Sequence, residues 1–346
     1  VTAERAATKE RAGKTWPRAL LLAGLVLLIA ALAPLAPSLA DGMELVRLRN
    51  AWQLSSADAQ SFDWPATALP PGFMQETRAP DPYYVALAER LRLAALPDDW
   101  QRALAIGRHL LAAPTLDGPP IQSDLRTTHE RIVGRGDGYC GDYARVFTGL
   151  ALAVGMPVRT WAFSLDRFGG HGHIWPEIWN RQLGRWQMLD VYNNDFMHLG
   201  DGRPLAALEL RAALERGDAN LRREPILAKA RQGYPIEARY WAYWREGLPG
   251  WYLQWGNAVF SADAVARDWP GVRAVRAVEQ AVVIATGNYP KMKPLADAHN
   301  AADIAALWRL RERLHWQAFG VAAALAASVA GALGLLLARS AKKNKT

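Results

Sequence analysis

Gly138-Tyr139-Cys140-Gly141-Asp142-Tyr143-Ala144 is the stretch on which the reading of this chain turns. It closes a glycine run, Gly134-Arg135-Gly136-Asp137-Gly138, which stops a helix expected over residues 122–133. From Cys140 onward, Cys140, Ala144, Phe147, Ala151 and Val154 recur at helical spacing until Gly155 and Pro157 end the pattern. The cysteine is the only one in 346 residues. A disulfide framework and a multi-cysteine zinc module are therefore excluded. At the first turn of a helix, unpaired N–H groups and the macrodipole favour thiolate over thiol, and thiolate is the attacking species in acyl transfer. The duller alternative is a small buried hydrophobe.

A nucleophile of this kind needs a base, and the base an orienting group. Three runs downstream read as strands: Val158–Leu165, Ile174–Asn180 and Trp186–Val191. In His173-Ile174-Trp175-Pro176-Glu177-Ile178-Trp179, alternation puts His173, Trp175, Glu177 and Trp179 on one face. A turn near Leu183-Gly184 would return Asp190, at the end of Trp186-Gln187-Met188-Leu189-Asp190, to the side of His173. Pro176 lacks a ladder donor and predicts an edge strand or a bulge. The Cys140 N–H is the expected oxyanion donor; the second is not identified by the sequence, and any of several Trp, Tyr or Gln side chains upstream would serve. Asp142 reads as a favourable charge in the first turn rather than a catalytic acid. His171 leaves a second reading open, since Cys140, His171, His173 and Asp190 are all ligand types that borderline metals accept. Acyl transfer by the first reading needs no cofactor and no metal.

Taken in order, Gly138–Ala144, Gly155-Met156-Pro157-Val158-Arg159, Gly172–Trp179 and Trp186–Asp190 resemble the transglutaminase-like superfamily over about residues 122–195. The resemblance implies an α+β, papain-like core, with helices packed on an antiparallel sheet. It also implies Cys140 as nucleophile, His173 as proton shuttle and Asp190 as the group that orients His173. The implied substrate is a protein or peptide amide. The acyl-enzyme then passes to water, as in a protease or amidase, or to an amine, as in a cross-linking transglutaminase. Water at ~55 M needs no acceptor site, which favours hydrolysis. A reading from another class is a scaffold, with a degenerate triad, in an envelope or polysaccharide assembly.

Hydrophobic residues make up 51% of the chain and charged residues 21%, which excludes overall disorder. The net charge of +8 sits at the ends. Residues 1–18 carry +3 and residues 339–346 carry +4, leaving +1 for everything between. Nucleic acid is therefore not an expected partner. Just inside these tails, residues 19–40 and 318–338 are uncharged, and either run is long enough to cross a hydrocarbon core. Basic outer flanks predict cytoplasmic termini, with residues 41–317 on the far side of the membrane. That is the topology of a bacterial inner-membrane protein with its catalytic domain in the periplasm or outside the cell. Arg309, Arg311 and Arg313 run mildly against it. Pro34, Pro37 and Ser38-Leu39-Ala40 would also suit a cleaved signal peptide, whereas Trp16 and the long basic start favour an anchor.

The remaining segments are plainer. Residues 41–121 form a lead-in, irregular over 41–82 and helical over 83–112 with a break at Pro97-Asp98-Asp99. Residues 196–317 read as a mostly helical accessory region, ending in a helix from about Asp303 that enters the second span. Tyr240, Trp241, Tyr243, Trp244, Trp251, Tyr252 and Trp255 suit either a platform for sugars or membrane, or a packed core, and the core is favoured. Ala326, Ala330 and Gly334 place small residues at every fourth position for close packing against the first span.

Overall fold

The computed structural model describes residues 2–56, 62–113, 119–121, 123–228, 230, 236–268 and 276–343. Residue 122, where a helix is expected to begin, and Lys345 of the basic tail lie outside them. The chain divides into two compact units, one of Val1–Trp52 with Ala306–Thr346 and the other of Gln53–Ala305. The first opens with α1 (Thr2–Leu32), a short α2 (Ala36–Ala40) and α3 (Gly42–Trp52). The third helix corrects the irregular reading of residues 41–82. Asp41 starts it by accepting from Met43 N–H at 2.8 Å, and no proline follows until Pro65.

In the second unit, local capping sets the helices where the sequence predicts them. Asp81 caps α4 (Pro82–Arg90), Asp98 caps α5 (Asp99–Leu110) and Asp124 caps α6 (Leu125–Arg135), each accepting a backbone N–H at 2.7–2.9 Å. The first helix after the glycine run is α7 (Cys140–Ala153). Strands β1 (Val158–Ser164), β2 (Gly172–Asn180) and β3 (Arg185–Met188) follow. They are the three expected strands, except that the third stops at Met188, before Asp190. Then come β4 (Asp195–His198), α8 (Ala207–Arg216), β5 (Arg222–Pro225), α9 (Glu237–Glu246), β6 (Trp251–Trp255), α10 (Val259–Asp268), α11 (Arg276–Ala285) and β7 (Lys291–Pro294). Four strands thus lie in the region read as mostly helical. The main sheet is antiparallel in the order β3-β2-β1-β6-β7, and β4 and β5 form a separate ribbon.

This order corrects the reading of Pro176. It lies opposite Thr160 in β2, an interior strand. Its carbonyl accepts from Leu189 N–H at 3.3 Å, beyond the end of β3. Its ring nitrogen faces the same side, so the missing donor falls where the neighbouring strand has already ended.

Both faces of the sheet are covered. One packs Leu87, Leu104, Ile132, Phe147 and Leu150 of α4–α7 against Val158 and Ile178. The other packs Trp161 and Trp175 against Leu210, Tyr240, Trp244 and Trp251. The aromatic cluster is therefore core, with Tyr240, Trp244 and Trp251 at 0% exposure. Each buried indole removes roughly 150–250 Å² from water, worth about 4–6 kcal/mol before ordering entropy is counted.

Register places Arg159 opposite Glu177, Trp161 opposite Trp175 and Phe163 opposite His173. Glu177 is fully buried. It accepts from Arg159 Nε at 2.5 Å, Trp161 Nε1 at 2.8 Å and the Ala207 N–H that begins α8 at 2.6 Å. Glu177→Ala would leave the Arg159 charge buried without its counter-ion. A loss of roughly 3–5 kcal/mol is expected in denaturant unfolding, with partial recovery when Arg159→Met is added.

A histidine pair joins α5 to α6. His129 Nε2 lies 2.8 Å from His109 Nε2, and His129 Nδ1 lies 2.7 Å from the Tyr83 hydroxyl. Burial first, then the His109 charge, pushes His129 from 6.5 to about 4. The fold keeps His129 neutral, whereas the unfolded chain binds its proton below 6.5. The stability it contributes is full above 6.5 and is lost as pH falls towards about 4. Thermal unfolding should show Tm dropping across that window, and His129→Gln should flatten the drop.

In the terminal unit, α12 (Ala301–Lys343) runs unbroken for 43 residues. It and α1 are long and apolar enough to cross a membrane. Their packing is close at glycine: a Cβ on Gly24 would sit 2.3 Å from Ser328 Oγ, and one on Gly331 would sit 2.7 Å from the Pro17 carbonyl. Gly334 shares this buried face with Ala324 and Gly331, but Ala326 and Ala330 are exposed. A strict spacing of four drifts about 40° per step around a helix of 3.6 residues per turn, which carries those two alanines off the contact.

Candidate active site

The loop before α7 is shaped by two glycines in conformations that side chains disfavour. Gly136 ends α6 at φ 68°, its N–H donating to Ile132 O at 2.9 Å, and Gly138 stands at φ 101°. Tyr139 is then the N-cap residue. Asp142 accepts from the Tyr139 and Ile121 N–H groups, both at 3.0 Å, and so serves as a capping carboxylate. Cys140 and Gly141 occupy the first two helical positions, where the helix itself supplies no carbonyl to their N–H groups. Cys140 is half-buried.

His173 stands 4% exposed at the start of β2. Its Nε2 lies 2.7 Å from Asp190 Oδ2, and the Cys140 thiol is among the groups that act on the ring. Burial alone pushes the imidazolium down. The Asp190 carboxylate and the hydrogen bonds to Asp190 and Cys140 outweigh it, and His173 is pushed up to about 10. The stability this linkage contributes is therefore full below 6.5 and lost as pH rises through about 10. Trp175 stacks on the ring at 5.9 Å, while Trp244 and Tyr243 meet it edge-on at 5.7 and 6.0 Å. These rings keep the histidine–carboxylate pair dry, where charge attraction is strong.

His173 and Asp190, two of the three residues expected to work together, are thus in contact. His171 is not among them: it is exposed, its N–H held by Asp166 Oδ2 at 3.3 Å. No group of three His, Cys, Asp or Glu side chains converges as a metal cage among the described residues.

Sequence reasoning missed what surrounds Asp190. Asn193 donates from its backbone N–H to Asp190 Oδ1 at 3.1 Å and from Nδ2 to Asp190 Oδ2 at 2.6 Å. Its Nδ2 is also 3.4 Å from His173 Nε2. Asp195 pairs with Asp190 in an antiparallel bridge, and Tyr240 donates to Asp195 Oδ1 at 2.7 Å. The one available signal was Asn193-Asn194-Asp195, a polar run between Tyr192 and Phe196. Asn194 takes φ 65°, the left-handed turn that folds the chain back.

The model of the transglutaminase-like superfamily core matches residues 86–191. No curated protein and no solved structure matches the chain. The match begins within α4 and so adds α5 to the region that the motifs alone marked out. Residues 86–191, which hold Cys140, His173 and Asp190, are a transglutaminase-like superfamily domain.

Proposed function

We propose that the chain is a membrane-anchored cysteine enzyme of the transglutaminase-like type, cleaving a protein or peptide amide by acyl transfer to water. The observation that carries the reading is the buried His173–Asp190 pair, on which Cys140, at a helix N-terminus, also acts. Cys140 attacks the carbonyl and the thioester forms. His173 gives its Nδ1 proton to the leaving amine and then takes one from the attacking water. The Cys140 N–H is one donor to the oxyanion. Transfer to an amine uses the same residues and remains the variant of this reading. An acyl-donor probe that labels the purified full-length protein, but not Cys140→Ala, supports the enzyme. Absence of labelling in folded wild type would leave the scaffold.

The two apolar helices and the basic tails support a placement with both termini in the cytoplasm and the domain on the other side of the membrane. Reporter fusions after Thr346 and near Gly202 are expected to report opposite sides. An extracytoplasmic signal at Thr346 would sink this topology, and a mature N-terminus at Asp41 would show the first segment to be cleaved.

A further inference from the structure

Two carboxyls, not one, are buried behind His173. Asp190 and Asp195 are 0% and 1% exposed. They exchange both backbone hydrogen bonds, at 2.7 and 3.0 Å, as the hydrogen-bonded pair of an antiparallel bridge. Such a pair sends both side chains to the same side. A charge on Asp190 therefore disfavours a second charge on Asp195.

The donors around each carboxyl decide which of the two keeps a proton. Asp190 receives His173 Nε2 at 2.7 Å, Asn193 Nδ2 at 2.6 Å and the Asn193 N–H at 3.1 Å. The first is charge-assisted, since His173 is held as imidazolium. Asp195 receives the neutral Tyr240 hydroxyl at 2.7 Å, with Arg223 Nη1 3.5 Å from its other oxygen. Asp190 is the better-solvated anion. Burial, then the Asp190 charge, pushes the Asp195 carboxyl well above the usual carboxylate range, and Tyr240, Arg223 and His173 offset this in part. Among the described residues, these are the ionisable groups that act on Asp195. His198 and Glu224, farther along the β4–β5 ribbon, lie 3.3 Å from each other.

We propose that Asp195 is a positioning residue that keeps its proton, so that Asp190 remains an anion against His173. The consequence for the thiol rests on the triad reading above, whereas the place of the proton does not. Isotope-edited infrared spectra of the full-length protein at neutral pH are expected to show a protonated aspartic-acid carbonyl. That band should vanish in Asp195→Asn. Its absence from wild type, or its survival in the variant, would overturn the proposal.

Thermal unfolding gives a second test with a definite sign. A folded-state carboxyl raised above 3.8 keeps a proton that the unfolded chain releases, so its effect on stability worsens as pH rises. Asp195→Asn should therefore gain Tm relative to wild type progressively from pH ~4 to 7. An aspartate that served only as an ion-pair partner of Arg223 would give the opposite trend.

A third test reads the thiol. Asn193→Ala strips donors from Asp190, leaves it a poorer partner for His173, and should slow mild-acid alkylation of Cys140 about tenfold, one decade for each ~1.4 kcal/mol. Adding Asp195→Asn removes the competing carboxyl and should restore part of the rate. Failure of that rescue counts against the proposal. Alkylation indifferent to His173 would instead strike the triad and leave the infrared result standing.

Discussion

Replacing His173 with alanine is expected to abolish measurable acyl transfer and to slow iodoacetamide alkylation of Cys140 at mildly acidic pH. In the wild type, His173 is pushed up to about 10 and is a cation throughout that range. Negative charge on the attacking sulfur is thus favoured by two neighbours, the imidazolium and the N-terminus of α7. A helix terminus alone contributes about 0.3–1 kcal/mol near the surface. Loss of the cation leaves only that smaller share. Turnover suffers further, because the group that moves the proton is gone, an effect of roughly 10²–10⁴-fold by itself. The rate of Cys140 modification in full-length protein, followed by mass across pH 5–8, checks the first effect. His171→Ala is the control and should change little, because that side chain is exposed in the loop ahead of β2. Equal losses from the two histidines, reversed by added zinc, would return the metal reading. Wild-type alkylation in His173→Ala would remove the base from the mechanism.

What could be read in advance was what repeats locally. The helix at Cys140 shows a 3.6-residue pattern closed by glycine and proline, and β2 alternates with a period of two. Strands β2 and β3 are joined by four residues, so the neighbour of one is fixed by the turn to the other. His173 and Asp190 follow from that hairpin. By contrast, β6 lies beside β1 with residues 165–250 between them, and nothing in Trp251-Tyr252-Leu253-Gln254-Trp255 names its partner. It reads equally well as an aromatic patch. Helix α3 was obscured by the prolines that follow it, although Asp41 was there to start it. Arg159 and Glu177 both stand within the quoted motifs, yet their pairing depends on register, which a run of residues does not show. The same holds for Asp195. It reaches Asp190 only because Asn194 adopts a left-handed conformation, and a polar turn after a strand looks like any other loop.

The other large effect is expected at Asp190. Asp190→Asn preserves side-chain shape, and the backbone bridge to Asp195 needs no carboxylate. The variant should therefore fold. Its amide cannot supply the negative charge that opposes burial at His173, so the imidazolium loses its main support. Nor does the amide fix the proton on Nε2. If its NH₂ group donates to that nitrogen, the proton moves to Nδ1, the atom that must be free to accept the attacking water's proton in deacylation. Turnover should fall by roughly 10²–10⁴-fold through this wrong tautomer. Asp195 does not take over, because the bridge holds it on Tyr240 rather than on His173. Stability should report the same loss with a pH signature. Wild type gains from His173 fully below 6.5 and loses that gain towards about 10, so the Tm gap to Asp190→Asn should be widest in mild acid and close as pH rises. Near-normal turnover in a folded Asp190→Asn protein would show that Asp190 does not orient the histidine. A Tm gap independent of pH would show that the pair is not an ionic one.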